Sequence, residues 1–471
     1  MRRFRLGLTA AFTGVALLAS RPASAQGYGV YEHGTCAMGR AGVGVAAPCT
    51  DGSAMFYNPA GLAAPGLDVR GRQTLTAGVT FIMPRGAFTE ANTGERMEYK
   101  PKTYPVPHAF FSTGLGDRFA LGIGLFAPYG LATEWDSNSL GRFLGYHSEI
   151  TGIYVQPTAA VRLTDWLSLG GGYDYSIVEV RLQQRVDLSH QVAAAGPGGP
   201  IYFSNLGVAS GTDFADVDID GTGNGSGFHL GGILKLGSRF SFGARYLSEQ
   251  TIDIDDGHAE IDQVPTGLVL APGNALGLPG GTPVDAIVAP QFADGATLGD
   301  QDGTTEIVFP WQVVVGIAFR ANDRLTLMFD WQRVHWSAFD ELRLEFETPG
   351  LGTQVLPEDY VDTDGFRLGA DYALSPTTTV RGGWLKHDGA APDQTVTPNL
   401  PEGDRDEFTV GLGHHFSPRF GVDFAYQFID QADRAGRTMG PLPGEEPTPA
   451  LNNGLYTFSA HLIGLNLTYN F

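Results

Sequence analysis

The side chains of this sequence that could bind a metal or take part in catalysis are few and poorly spaced. His414 and His415 suggest a metal site, but neighbours on a strand point to opposite faces, so we predict no chelation. Residues 216–221 (DVDIDG) resemble a calcium loop without its distal Glu, which predicts a solvated acidic loop and leaves Ca²⁺ binding open. No nucleophile elbow, phosphate loop or zinc spacing occurs. We therefore predict no catalytic residue, no metal site and no cofactor.

The two cysteines, Cys36 and Cys49, lie close together near the start of the chain. In an exported protein a disulfide closing this short loop is the natural interpretation. A metal pair is the alternative, but no His or third Cys stands at ligand spacing. The sequence favours the disulfide and does not establish that it forms.

The first 25 residues have the pattern of a secretory signal peptide. A basic start with Arg2, Arg3 and Arg5 precedes an apolar run over residues 6–19 and a small-residue cleavage site at 23–25. The apolar run is shorter than a membrane-spanning helix needs. Removing this leader, with its four Arg and no acid, changes the net charge from −21 to −25. Such an acidic surface argues against nucleic acid as a partner.

The rest of the chain alternates apolar and polar residues in segments joined by short turns. Six tight turns each join two such segments, at 116–117, 164–165, 237–238, 322–323, 375–376 and 417–418. With an opening strand near 68–84 and a closing strand near 455–471, the count is fourteen. We predict an all-β fold, a 14-stranded antiparallel transmembrane β-barrel over residues 68–471, with long extracellular loops near 187–226 and 257–306.

The closing strand supports a membrane barrel over a soluble β-sandwich or propeller. Residues 463–471 (IGLNLTYNF) place apolar side chains on one face and Gly, Asn and Thr on the other, ending on Phe471. Because the phase reverses upstream, we also expect a bulge between Ala460 and Gly464. The predicted setting is the bacterial outer membrane, with its lipid and lipopolysaccharide as partners. We also expect barrel-assembly machinery to act on the C-terminal strand, and the protein to be a monomer.

Alternation along the strands predicts charged side chains inside the lumen. Because unpaired buried charge is costly, most of these should pair with one another or with a plug. A ligand carboxylate would need one of the lumenal arginines, and the sequence does not identify which. The candidates are Arg245, Arg320, Arg367 and Arg381.

Residues 26–67 do not alternate, and their Gly- and Ala-rich composition predicts a compact hatch that plugs the lumen. Residues 39–41 (GRA) and 51–62 (DGSAMFYNPAGL), with the triplet Asn58-Pro59-Ala60, resemble the hatch of the FadL/TodX family of outer-membrane transporters. Residues 127–133, 309–339 and 404–405 extend this resemblance along the chain. The paired cysteines depart from typical members. The resemblance implies an outer-membrane transporter of long-chain fatty acids or other hydrophobic molecules.

Apolar residues in the hatch and the long loops are the predicted ligand contacts. Exposed apolar loop patches are typical of binding surfaces, and packing of these loops on each other as a lid is the alternative. The predicted contacts are Met55, Phe56, Tyr57, Phe203, Leu268, Leu270 and Leu276. By resemblance the ligand leaves sideways through the barrel wall, and Gly122 and Gly124 are our candidates for the kink that such an opening needs.

The predicted function is passive, ligand-gated uptake of hydrophobic molecules, with rearrangement of the hatch. A general porin for small polar solutes and a lipid-acting barrel enzyme are the alternatives. Fatty acids, alkanes and aromatic compounds all remain open as substrates.

Overall fold

The structure is a computed structural model that describes residues 27–196, 198–347, 353–436 and 453–471. The predicted signal peptide, residues 1–25, lies outside the described residues. Among the described residues, no helix is both long and apolar enough to cross a membrane.

Strands dominate the described part of the chain. In order they are β1 (Gln73–Glu90), β2 (Arg96–Glu98), β3 (Tyr104–Leu115), β4 (Phe119–Glu134), β5 (His147–Arg162), β6 (Leu167–Asp187), β7 (Val192–Gly196), β8 (Gly199–Tyr202), β9 (Asp213–Leu236), β10 (Phe240–Leu247), β11 (Gln250–Gln263), β12 (Gln301–Phe309), β13 (Gln312–Arg320), β14 (Leu325–Val334), β15 (Glu341–Phe346), β16 (Thr353–Pro357), β17 (Thr363–Ser375), β18 (Thr378–His387), β19 (Arg405–His415), β20 (Phe420–Ala435) and β21 (Gly454–Asn470). The short α-helices are α1 (Thr35–Met38), α2 (Ala54–Tyr57) and α3 (Val284–Val288). The 3₁₀-helices are Pro59–Ala63, Leu140–Phe143, Leu188–His190, Phe203–Leu206, Ala289–Phe292 and Trp336–Ala338.

Fourteen of these strands pair side by side into a closed antiparallel ring. In order around the ring they are β1, β3, β4, β5, β6, β9, β10, β13, β14, β17, β18, β19, β20 and β21. The ring closes through β1 and β21, from Thr74–Asn470 to Glu90–Gly454. The predicted 14-stranded barrel is confirmed, and all six tight turns join consecutive ring strands. The opening strand begins at Gln73 and not near Asp68.

The ring has an apolar outer face and a mixed inner face. On β20, Phe424 is 46% exposed on the outside, whereas its neighbours Asp423 and Ala425 are buried inside. This alternation follows from the period of two in a strand. An outer surface of exposed Leu, Phe and Tyr side chains is what contact with lipid requires.

The bulge expected in β21 between Ala460 and Gly464 is absent. β21 keeps one register with β1 throughout, and its even-numbered residues stay on the inner face. Tyr456 and Leu462 are buried inside because the lumen wall itself becomes apolar on the loop side. The apolar residues change phase along the sequence because the inner face of the barrel becomes apolar there, and not because the pairing of the strand shifts.

The segment before β1 fills the lumen as a plug. α1 and α2 are wholly buried. The carboxylate of Asp330 on β14 accepts hydrogen bonds from the Gly44 and Val45 backbone N–H groups, at 2.8 and 3.1 Å. These bonds from the wall satisfy backbone donors of the plug that lie outside its short helices.

The long loops extend the barrel sheet beyond the ring and form a small apolar core there. β9 extends beyond the ring to pair with β11, which continues through β12 and β15 to β16. Residues 216–221 are therefore strand and not the predicted acidic loop, since the spacing DVDID is itself a strand alternation.

Two of the predicted groove residues lie inside this loop core. Phe203 and Leu270 are 0% and 2% exposed, and Leu276 packs against the same cluster. Leu268 is exposed at its edge. The predicted exposed groove is wrong for Phe203 and Leu270, because the two longest loops supply apolar partners to each other.

Candidate ligand cavities and the opening in the barrel wall

The barrel wall is open between β3 and β4 on the loop side. These strands pair only from Leu115–Phe119 to Ala109–Leu125. Beyond that point β3 continues against β1 alone, as far as the pair Ile82–Tyr104. Pro105 and Pro107 lie in this unpaired stretch of β3. Proline lacks the N–H that a neighbouring strand would need, so this sequence suits an open edge. We call this opening the wall gap.

The other side of the wall gap is shaped by a bulge in β4. The β4–β5 register passes from Phe126–Tyr154 directly to Tyr129–Gly152, which leaves Ala127 and Pro128 as the irregular residues. A bulge bends the strand that carries it. The irregularity thus lies at Ala127-Pro128.

The predicted kink residues Gly122 and Gly124 are not part of this irregularity. Both are paired in regular register with β3 and with β5. Both face the lumen, where a Cβ on Gly122 would lie 2.7 Å from the Met55 sulfur of the plug. The glycine at position 122 therefore allows the plug to approach the wall, and the prediction that these glycines kink the strand is wrong.

The start of the plug occupies the free edge of β4. Gly29 forms an antiparallel bridge with Tyr129. The Val30 N–H donates to the Pro128 carbonyl at 2.8 Å, and the Gly130 N–H donates to the Tyr28 carbonyl at 2.9 Å. Residues 28–30 thus replace β3 as the partner of β4 at the wall gap.

A cavity of about 420 Å³ reaches from the lumen into the wall gap, and we call it the inner cavity. Its lumen side includes Phe458, Ala460 and Leu462 of β21. Its outer side includes Pro107 and Ile153, whose side chains face outward. The volume is in the range of small-molecule sites. One cavity therefore contacts both faces of the barrel wall.

A second cavity of about 110 Å³, the outer cavity, lies among the loop-side ends of the strands. Five residues line both cavities, so the two adjoin: Tyr28, Leu131, Glu149, Ile150 and Leu400. Tyr28 stands at this boundary, with its ring 4.7 Å from the Trp336 ring and its hydroxyl donating to the Val308 carbonyl at 3.0 Å. A buried aromatic of the plug thus separates the two spaces.

A family model described as outer membrane protein transport protein (OMPP1/FadL/TodX) matches residues 16–471. The chain belongs to this family. It is an outer-membrane β-barrel of the FadL/TodX type.

Relatives of this FadL/TodX-family chain are distant but match over their whole length. It is 24% identical to outer membrane protein P1 of Haemophilus influenzae, over 100% of both chains. It is also 24% identical to a long-chain fatty acid transport protein of Escherichia coli K12, over 97% of each.

Solved structures share the fold. A Pseudomonas aeruginosa FadL homologue is similar at 22% identity, with a TM-score of 0.77, covering 94% of this chain and 99% of that one. The Pseudomonas putida toluene transporter TodX is similar at 18% identity, with a TM-score of 0.66 and the same coverage.

The hatch triplet of this FadL/TodX-family chain ties the plug to the wall. The Asn58 side-chain amide donates to the Val45 carbonyl at 2.6 Å and to the Gly232 carbonyl of β9 at 3.0 Å. Its oxygen accepts from the Ala60 N–H at 3.1 Å, and Pro59 opens the 3₁₀-helix that follows. Asparagine provides both donor and acceptor at one buried point. The triplet is a structural tether in this arrangement.

The three predicted hatch contacts lie one layer behind the inner cavity. Met55, Phe56 and Tyr57 are all buried, and none of them lines either of the two cavities. The Phe56 ring lies 5.3 Å from the ring of Phe126, which does line the inner cavity. The first residues of the plug lie between these three side chains and the inner cavity, and their contact with a ligand stays a prediction.

Paired cysteines and paired charges hold the plug together and to the barrel. Cys36 and Cys49 are joined by a disulfide. Arg40 of the plug is 2.8 Å from Asp371, which is 3.7 Å from Arg381, and Arg381 is 2.7 Å from Asp423. These charges compensate one another, as burial requires.

The other predicted lumenal arginines have different surroundings. Arg367 donates to the Gln332 side chain and lies 4.9 Å from the Tyr31 ring. Arg245 is buried with its guanidinium 4.3 Å over the Phe56 ring. Arg320 does not lie in the lumen: it is exposed at the rim beside Asp323, because β13 ends there.

Sequence reasoning missed a buried Thr-His-Asp arrangement in the wall. His229 lies 2.7 Å from the Asp174 carboxylate and 3.0 Å from the Thr158 hydroxyl. Strand parity places all three inward, but their convergence across β5, β6 and β9 depends on long-range register. All three are buried, and none lines either cavity. The arrangement joins three strands and offers no access to a substrate.

Sequence reasoning also missed the acidic residue that holds the start of the plug. Glu402, in the loop between β18 and β19, is buried and accepts from the Gly27 N–H at 2.9 Å. Its other oxygen accepts from the N–H groups of Ala390 and Ala391. Burial raises the pKa of Glu402 above the usual value for a glutamate. No local pattern could have identified it, since it lies in a loop without periodicity.

Proposed function

We propose that this chain carries hydrophobic molecules passively across the outer membrane and releases them sideways through the wall gap. The observation that carries the proposal is the inner cavity, which contacts lumen-facing and outward-facing residues of the same wall. A water-filled pore has no need of such a connection. A hydrophobic solute gains by leaving directly into lipid, since its transfer into water is unfavourable.

The proposed route begins at the outer cavity and continues past Tyr28 into the inner cavity. Residues 28–30 occupy the β4 edge and line the inner cavity, so this stretch of the plug is the element that we expect to move. A ligand that binds the displaced arrangement more tightly shifts the population toward it. Gating of this kind requires rearrangement of the first plug residues and not expulsion of the whole plug.

The names of the relatives indicate the class of cargo. Those in Escherichia coli and Salmonella typhi are called long-chain fatty acid transport proteins, and the solved structures include toluene transporters. We propose long-chain fatty acids or hydrocarbons as cargo and no catalytic step. Contacts with lipopolysaccharide and the assembly machinery, and the monomeric state, stay predictions.

Uptake and conductance measurements together test this function. The full-length protein, produced in a bacterial host that lacks its own transporter of this kind, should confer uptake of a labelled long-chain compound. In a planar lipid bilayer the purified protein should show little steady ion conductance, because the plug fills the lumen. Absence of uptake would contradict transport, and a large steady conductance would favour a general porin.

A further inference from the structure

The charged residues that line the inner cavity are predominantly acidic. They are Glu32, Glu149, Glu402, Glu407 and Arg405. The remaining lining is mainly apolar and aromatic. A cavity that is apolar and bears an excess of carboxylates is an unusual environment for an anionic ligand, because like charges repel strongly where water is scarce.

Two of these carboxylates share one hydrogen-bond donor. The Gln427 side-chain amide donates to Glu32 at 2.8 Å and to Glu407 at 2.5 Å. Glu32 belongs to the plug and Glu407 to β19, so the two acidic groups meet at the boundary of plug and wall. A ligand carboxylate placed beside them would be a third acidic group at the same point.

The single arginine of the inner cavity is already engaged. The Arg405 Nε donates to the Gln431 side chain at 3.2 Å, and its guanidinium lies 5.4 Å from the Phe458 ring. It also interacts electrostatically with Glu402 and Glu407. Its charge therefore offsets part of the acidic excess and leaves little attraction for a further carboxylate.

The outer cavity has the same sign of charge. Its charged lining residues are Glu149, Asp220, Glu345, Glu358, Arg181 and His258. Arg181 makes a 2.5 Å ion pair with Asp218, and His258 lies 2.9 Å from Asp302. A ligand entering from the loop side thus meets acidic groups along both cavities.

We propose that the two cavities select uncharged hydrophobic molecules and discriminate against carboxylates of equal chain length. This inference rests on the proposed transport function and narrows its cargo to hydrocarbons, alcohols and similar neutral compounds. The physical cause is the excess of glutamates over arginines along an apolar path. Each ionised glutamate raises the cost of bringing in another anion, and Glu402, whose pKa burial raises, still provides no positive charge to attract one. The aliphatic part of either ligand gains equally from burial.

Binding of a matched pair of ligands tests the inference. Labelled 1-dodecanol and dodecanoate are titrated against the purified full-length protein in a nonionic detergent at pH 8, where the fatty carboxyl is ionised. We expect dodecanoate to bind at least about tenfold more weakly than dodecanol. The double variant Glu149→Gln/Glu407→Gln should reduce that ratio, because dodecanoate binding improves.

A control variant and the possible outcomes separate the two proposals. Glu260→Gln changes an exposed acid on β11 that lines neither cavity, and should leave the ratio unchanged. Heat-dependent migration in gels checks that each barrel is folded. Equal or tighter binding of dodecanoate, or a ratio that the double variant leaves unchanged, would overturn the selectivity and leave transport standing. If neither ligand binds, both the selectivity and the proposed transport function are overturned.

Discussion

At the scale of single residues, Glu402 links the start of the plug to the β18–β19 loop through one carboxylate. It accepts backbone hydrogen bonds from Gly27 at the start of the plug and from Ala390 and Ala391 in its own loop. Each such bond satisfies a buried donor that would otherwise be unpaired. This one side chain therefore fixes where the plug begins relative to the loop above the wall gap.

The raised pKa of Glu402 predicts a specific dependence of stability on pH. The folded state holds its proton more tightly than the unfolded state, so this group contributes stability below the ordinary glutamate pKa and loses it as pH rises through the raised pKa. Glu402→Gln cannot titrate. Between pH 4 and 8 the melting temperature of the wild type should therefore fall more than that of Glu402→Gln, as followed by circular dichroism in detergent. Parallel melting curves would contradict this role.

Residue types alone indicated part of the candidate site. The inward direction of Arg381 and Asp423 follows from strand parity, and the structure pairs them. Arg40, which joins the same set of charges through Asp371, was not predictable, because it belongs to a plug without periodicity. Strand parity predicts an inward side chain for Arg320, but this residue is the last of β13 and lies beyond the wall, where it is exposed.

At the scale of elements, the long loops fold as a unit with its own core. Leu270 is 2% exposed within this core, whereas its neighbour Val269 is 61% exposed. The sequence showed both as apolar residues of one loop. Only the packing of the two long loops on each other distinguishes them, and that packing was not predictable from local pattern.

This difference provides a matched pair of variants. Leu270→Ala should destabilise the loop core by about 2–4 kcal/mol, the usual cost of removing a buried leucine side chain. Val269→Ala should have little effect. Hydrogen exchange of the β11 and α3 backbone measures the local stability. Equal protection in the two variants would show that the loops do not share a core.

The wall gap is also an element-scale feature that the sequence showed only in part. Residues 127–133 in this region carry part of the family resemblance, and Gly122 and Gly124 were the predicted cause of the opening in the wall. The bulge instead lies at Ala127-Pro128, and the gap depends on β3 leaving β4 while staying paired with β1. A missing strand pairing is a long-range property and leaves no mark on local alternation.

At the scale of the whole molecule, the ring of fourteen strands was predictable because each strand carries its own signal of period two. The plug was predictable as a segment that lacks that signal. The features that lie between the plug and the ring were not predictable. These are two adjoining cavities, the aromatic boundary at Tyr28, and the pairing of the first plug residues with β4 where β3 is absent. We propose that these parts form one route that ends in the wall.

Uptake by a variant whose wall gap is blocked tests this route. Ala127→Trp places a bulky ring in the bulge that borders the inner cavity, and Leu465→Trp places the same ring on the outer face of β21 as a control. At equal amounts of folded protein in the outer membrane, we expect Ala127→Trp to lower uptake of a labelled hydrophobic compound strongly and Leu465→Trp to leave it unchanged. Wild-type uptake by Ala127→Trp would contradict a lateral exit at this gap.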